Sequence, residues 1–268
     1  MDLIREIYRR KSIRKYLDNK LSTEQLEEIK AICRSEERLY KEIDLNIMVL
    51  ADGEKIQSMM SGLIGNFTKA AAPHYLIITS EQKNGYLENA GYTVEKIILQ
   101  LTSMGIATCW LGGNVKENKL KDAMGIPENH KFIVMVAFGY PMDEKNLYRK
   151  DPKEAKRKEI SEFARGSEGG SYDVIWHEPL EAIRMSPSAV NTQPWRFVTE
   201  DRKIHVFCEG SSNFVLKKLL EEKNVLDVGI ALSHLHIAAE ATGKKINFTR
   251  EYQVQHSQGK YIITAEIL

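Results

Sequence analysis

Three short stretches gather side chains able to hold a small charged or aromatic ligand. The first is "RRKSIRKY", residues 9–16, where Arg10, Lys11, Ser12 and Arg14 crowd charged and hydroxyl donors together. A phosphate suits such a set. Arginine offers paired N–H donors, serine a short hydroxyl bond, and a nearby helix end exposed backbone N–H groups. A solvated basic face is the other reading of the same run. The second stretch is "GIATCWLGGN", residues 105–114. Gly112 and Gly113 let a flat ligand approach the backbone closely, where a Cβ would obstruct. A plain turn after a helix fits the same letters. The third is "SPSAVNTQPWRFV", residues 186–198. Asn191 and Gln193 each carry a donor and an acceptor, which suits the edge of a heterocycle. Pro187 and Pro194 stiffen the segment and reduce the entropy lost on binding. The competing reading is a turn entering a strand, with Trp195 as core filler.

Other chemistries find no pattern. The sequence has no G-x-G-x-x-G after a strand, no G-x-x-x-x-G-K-[ST], no H-E-x-x-H and no G-x-S-x-G. Cys33, Cys109 and Cys208 are far apart and odd in number, so neither a disulfide framework nor a zinc site is expected. Cys109 reads as a small buried residue rather than a nucleophile. His234 and His236 lie two apart on an expected helix, face different ways, and read as structural.

The stretches need elements to hold them. "STEQLEEIKAICRS" reads as a helix with Ser22 as N-cap and Gln25 three residues into it. "DLNIMVLA" and "AAAPHYLIITSE" read as strands, the second with Pro73 at its start, where a missing N–H costs least. "GYTVEKIILQLTSMG" reads as a helix closed by Gly105, and "HKFIVMVAFGYP" as a strand buried on both faces. Residues 151–170 are charged, end in glycines and read as a linker. Beyond them the pattern restarts. "GIALSHLHIAAEATG", Gly229 to Gly243, matches Gly91 to Gly105 in length and in both terminal glycines. The repeated order of helix, strand and helix points to an internal duplication.

With 43% hydrophobic residues the chain can bury a large core. Its net charge of +1 removes the electrostatic case for nucleic acid or an anionic membrane as main partner. The N-terminus is charged from its second residue, and no apolar run approaches the roughly 18 residues of a membrane span. A soluble, reduced, cytoplasmic protein is expected.

Together the three stretches resemble the flavin-dependent nitroreductase family. Its R-R-x-S-x-R-x-F/Y motif is matched by Arg9 to Tyr16. Its A-P-S-x-x-N-x-Q-P-W loop is matched by "SPSAVNTQPW", with Ser186 for alanine. Its G-L-G-x-C/P-W-x-G segment resembles "MGIATCWLGG", and its strand ending G-Y-P resembles Gly139, Tyr140 and Pro141. The order differs from ordinary members, which carry the loop soon after the basic motif. Here the loop appears only in the second repeat, which lacks the basic motif and the W-x-G-G segment.

The resemblance therefore implies a fused dimer in which each half keeps what the other lost. The implied fold is α+β: two nitroreductase-like repeats, each a mostly antiparallel sheet flanked by helices, packed as a pseudo-dimer. The first repeat spans 1–150, a linker 151–170, and a second, degenerate repeat 171–268. The implied cofactor is FMN, one per chain, with NAD(P)H as electron donor and a nitroaromatic, a quinone or a similar flat acceptor as the small-molecule partner. Arg10, Lys11, Ser12 and Arg14 would bind the FMN phosphate, ribityl chain and pyrimidine edge. Lys156 and Arg157 would add basic phosphate contacts. Pro187, Ser188 and Asn191 would reach the flavin from the second half. Trp110, Leu111, Gly112 and Gly113 would line the ring. No protein acid, base or nucleophile is required, so no catalytic residue is assigned. A fused dimer already supplies the usual interface, so the chain can act as a monomer. Acceptor-facing residues are expected in 61–71 and 210–224. Two alternatives remain: a flavin-binding module without turnover, and an FMN-dependent dehydrogenase with a dedicated metabolite.

Overall fold

Two sheets flank a central pair of helices. The computed structural model describes residues 2–60, 70–112, 117–210, 214–251 and 259–268. The first half runs α1 (Leu3–Arg9), α2 (Thr23–Ser35), β1 (Leu45–Leu50), α3 (Gly53–Met60), β2 (His74–Glu81), α4 (Tyr86–Ser103), β3 (Ala107–Leu111), α5 (Glu117–Met124) and β4 (His130–Gly139). The rest runs β5 (Ala164–Gly166), α6 (His177–Arg184), β6 (Trp195–Glu200), β7 (Lys203–Cys208), α7 (Phe214–Ala241), β8 (Ile246–Thr249) and β9 (Lys260–Ile267). The sheet orders are β1-β2-β4-β3 and β5-β6-β7-β9-β8. Every pairing is antiparallel except β5 with β6. Without β5, the second sheet repeats the first strand for strand.

Alternation along the strands decides the packing. Leu76, Ile78, Val134, Val136 and Phe138 turn one face of the first sheet onto α2 and α4. Tyr75, Ile77, Met135, Ala137, Cys109 and Leu111 turn the other face onto Ile56 and Tyr16. In the second sheet Trp195, Phe197, Ile204, Val206, Ile263 and Ala265 pack on Leu180 and Ile183 of α6 and Val228, Leu232 and Leu235 of α7. Trp195 is thus core, and its loop must be judged without it. β4 is half-exposed over Lys131–Ile133 and buried from Val134 onward, so burial on both faces holds for its C-terminal part. Ser22 forms the expected capping box with Gln25, a feature that contributes about 1 kcal/mol.

The duplicated helices are longer than their bounding glycines suggest. α4 begins at Tyr86 and α7 at Phe214, so Gly91 and Gly229 are interior. They mark the helix crossing instead. A Cβ on Gly91 would collide with Leu226 O, and one on Gly229 with Glu88 O. The two contacts are mirror images: each glycine meets the carbonyl three residues before the other. A shift of 138 residues (229 less 91, 243 less 105) relates the halves here. Gly105 and Gly243 then both close their helices with positive φ, +78° and +74°. A pseudo-twofold axis passes through the crossing of α4 and α7.

Residues 151–170, expected as a linker, are partly built into the fold. Ile160, Phe163 and Ala164 are buried in the second core, and β5 adds a parallel strand at the edge of β6. The charged letters cover the outside of this segment, and its few apolar residues fix its path.

Candidate functional site

The basic motif is held against a strand edge. α1 ends at Arg9, and Arg10 turns extended with its N–H still on Glu6 O at 2.8 Å. The chain then runs beside β3, whose outer edge is free because β4 pairs only its other side. Ile13 N donates to Thr108 O at 3.0 Å. The buried Tyr16 anchors the far end, its hydroxyl donating to Ile13 O at 2.6 Å. Bridges pair Arg10 with Tyr148 and Tyr16 with Pro141, so the segment after β4 covers the other side. This brings in Arg149, whose N–H donates to Arg9 O at 2.7 Å and whose Nη1 donates to Tyr8 O at 2.9 Å.

The amide-rich loop is a clasp on residues 156–158. Asn191 Nδ2 donates to Lys156 O at 3.0 Å, Arg157 Nη1 donates to Asn191 Oδ1, and Lys158 N donates to Gln193 Oε1 at 2.9 Å. Arg157 Nη2 reaches Met185 O at 3.3 Å. Inside the loop, Gln193 N donates to Ser188 Oγ at 3.0 Å, and Ala189 N donates to Asp227 Oδ2 of α7 at 2.9 Å. Val190, Asn191 and Gln193 all have positive φ, +45°, +59° and +50°. For a β-branched valine this is strained, and such strain persists only where surrounding bonds over-determine the backbone. These bonds do so.

The two motifs converge on a cluster of guanidinium groups. Burial pushes Arg157 down to about 10, helped by the charges of Arg149 and Arg10. Arg149 is likewise lowered, first by burial and then by Arg10. Arg10 is 5% exposed; its Nη2 lies 3.5 Å from Ser12 Oγ, and its Nε has no hydrogen-bond partner. Arg157 Nε is also buried without one. Glu95 and Asp227 offset part of this repulsion at Arg157 and Glu154 part of it at Arg149, but the two buried Nε donors stay unpaired, which is costly unless an anion answers them.

Two buried carboxylates lie beneath the cluster. Burial pushes the Glu95 carboxyl up, but the His234 hydrogen bond, the Arg10 and His234 charges and the Trp110 bond outweigh it, and the group sits below its ordinary value. Trp110 Nε1 donates to Glu95 Oε2 at 2.9 Å. Asp227 sits well above its ordinary value: burial outweighs the Ala189 N–H bond and the charges of Lys223 and Arg157. Gly112 faces outward, and a Cβ there would meet only the Lys223 stem, at 3.7 Å.

The structure thus brings Arg10, Ser12, Trp110, Arg157, Ser188 and Asn191 to one seam between the halves. Lys11 is half-exposed, and Arg14 is exposed, its charge acting on Cys109 and Tyr16. Lys156 contributes its carbonyl rather than its amine. Leu111 is buried in the core. Pro187 is half-buried. The Asn191 amide, expected to face a ring edge, is bonded at both ends to residues 156 and 157. Gly113 lies outside the described residues, as do 61–69 and 211–213 of the expected acceptor-facing segments. Cys109 is buried, and burial raises its thiol. Sequence reading missed Arg149, Glu95 and Asp227. The two carboxylates carried a signal, an acid flanked by apolar residues in the buried stretch of its helix.

A family model described as "Putative TM nitroreductase" matches residues 2–239. The chain belongs to this family. It is similar to a "Putative NADH dehydrogenase/NAD(P)H nitroreductase" of Archaeoglobus fulgidus, 27% identical over 159 residues, covering 56% of this chain and 91% of that protein. It is similar over its whole length to a crystal structure of a nitroreductase family protein of Thermotoga maritima, described as putative, with TM-score 0.61, 21% identity and 93% of that chain covered. An FMN-dependent nitroreductase of Clostridium difficile matches over 54% of this chain and 91% of its own, with TM-score 0.45 and 21% identity. The fold is therefore the nitroreductase-like α+β fold in a two-sheet, pseudo-dimeric arrangement, and the chain is a nitroreductase-like oxidoreductase. Among the described residues, no helix of this nitroreductase family member is long and apolar enough to cross a membrane, and no group of His, Cys, Asp and Glu is placed to hold a metal.

Proposed function

We propose that the chain is an FMN-dependent NAD(P)H oxidoreductase that passes electrons, by ping-pong turnover, to a flat acceptor such as a nitroaromatic or a quinone. One observation carries this reading. Arg10, Arg149 and Arg157 meet at the seam between the halves, and two of them keep a buried Nε without a partner. A phosphate monoester answers both the unpaired donors and the repulsion. FMN, once bound, supplies the hydride chemistry.

The protein's part is position and field. Arg10, Arg149, Arg157 and Ser12 hold the phosphate end. Trp110 and the backbone at Gly112 line the flat end, and loop 186–194 closes it from the second half. The cationic cluster also favours any negative charge that develops beside it. Residues 1–150 and 171–268 act as two repeats, and 151–170 delivers Arg157 to the site and a strand to the second sheet.

The mirror position differs in the side chains it presents. Under the 138-residue shift Gly112 becomes Arg250. That guanidinium lies 4.4 Å over the Tyr40 ring and bonds Glu88 Oε1 at 3.0 Å and Asn84 O at 3.2 Å. At the mirror position the Arg250 side chain stands where the first site has glycine, and with Glu88, Lys260 and Tyr261 it lines a cavity of about 410 Å³.

Anaerobic addition of NADH or NADPH to the FMN-loaded protein tests the reading. The flavin colour should bleach and return on adding a quinone or nitroaromatic. Protein that rejects FMN overturns the proposal, and loaded protein that neither donor bleaches is a flavin-binding module.

A further inference from the structure

Glu95 is buried at the centre of the molecule, and neither motif contains it. Its side chain is 0% exposed and that of His234 is 1% exposed. His234 Nδ1 faces Ala182 O at 2.9 Å, and Nε2 faces Glu95 Oε1 at 3.2 Å. A carbonyl only accepts, so Nδ1 carries a proton. A second proton is then held between Nε2 and the carboxyl. Glu95 Oε2 takes the Trp110 indole N–H. Every polar atom of the chain Ala182–His234–Glu95–Trp110 has its partner, so the indole is held in one orientation. The chain runs from α6 and α7 of the second half, through α4 of the first, to the end of β3 beside Gly112.

The duplication supplies an internal control. In the mirror position Trp110 is Phe248, Glu95 is Ser233 and His234 is Lys96. The phenylalanine has no N–H to place. The Ser233 hydroxyl is buried without a partner. Lys96 pairs with Glu37 at 3.3 Å instead. A different polar link joins α4 to α7 there, where Tyr92 Oη and Lys96 Nζ both meet His236 Nδ1, the lysine at 3.5 Å. Among the described residues, the run of bonds that ends on an indole is found on the side that carries the arginine cluster.

We infer that Glu95 is a positioning residue for the cofactor site: shared with His234 across the two halves, it fixes the Trp110 indole as a wall of the pocket. The inference rests on the flavin reading above. Glutamine can replace glutamate here with every bond kept, its carbonyl accepting from Trp110 and its amide donating to a neutral His234 Nε2. Alanine cannot.

The test uses the full chain, with FMN fluorescence titration, the visible circular dichroism of bound flavin, and a thermal melt for each variant. Glu95→Gln should bind FMN within about threefold of wild type. Glu95→Ala should bind at least about tenfold more weakly and change the flavin dichroism. Trp110→Phe, a residue the fold already accepts at 248, should reproduce that loss, and the double variant should be no weaker than either single one, because both act through one bond. Ser233→Ala, at the mirror position, should leave FMN binding unchanged. Wild-type affinity in Trp110→Phe, or additive losses in the double variant, overturns the inference even if Glu95→Ala fails to fold. A wild-type chain that binds no FMN overturns the flavin reading itself, and the inference with it.

Discussion

At Arg157 the guanidinium is partly claimed: Nη1 by Asn191, Nη2 by Met185 O, and Nε by nothing. A hydrogen bond to a charged group contributes about 1.5–3 kcal/mol. Arg157→Ala should therefore weaken FMN binding by roughly 10- to 100-fold. Riboflavin, which lacks the phosphate, should lose much less, and equal losses in the two titrations would contradict a phosphate role. Asp227 permits a test that needs no cofactor. Burial lifts its carboxyl in the folded state, so the fold holds this proton more tightly than the unfolded chain does. The resulting stability is complete below the unfolded value of about 4 and is lost as pH rises through the raised folded value. Asp227→Asn removes that loss and keeps an acceptor for Ala189 N–H, as Asn89 Oδ1 accepts Tyr40 N at 2.9 Å in the mirror position. The variant should melt above wild type at pH 8, with the gap closing towards pH 4; a gap independent of pH would refute the account. The basic and amide-rich motifs were legible as residue types. Arg149 was not, because it enters through a bridge between residues 10 and 148 that no local pattern encodes.

Among the elements, α4 and α7 decide how the halves meet. A glycine inside a helix costs about 1 kcal/mol relative to alanine, and for that reason Gly91 and Gly229 read as helix boundaries. The structure keeps both inside, because each lies against the other helix's backbone. Local propensity gave way to contacts between residues far apart in the chain, Gly91 with Leu226 and Gly229 with Glu88, which no window along the chain can reveal. Gly105 was read correctly, since its left-handed turn is a local matter. Gly91→Ala and Gly229→Ala should each destabilise by about 3 kcal/mol or more, since the obstruction is backbone and the helices must part. Gly105→Ala, with nothing within 4 Å of the added carbon, should lose only about 1 kcal/mol from its positive φ. Thermal melts order the three, and a Gly105 variant as damaged as the others would disprove the crossing argument.

Over the whole molecule, the repeat visible in two helices extends to the sheets, whose strand orders match once β5 is set aside. The order of motifs, with the loop in one repeat and the basic motif in the other, is what suggests one site divided between the halves. What the letters hid was the path of the segment between: charged and glycine-ended, it reads as a linker that the resemblance credits with Arg157, yet Ile160 and Phe163 seat it in the second core. Nor did they show the mirror position, where Arg250 packs on Tyr40 and Glu88. The central claim is one flavin site assembled from both halves of a single chain. Titration of the purified chain with FMN, read as bound flavin per chain and paired with its mass in solution, tests it most directly. Binding should saturate at one FMN per chain; saturation at two, or no binding at all, would contradict a single shared site.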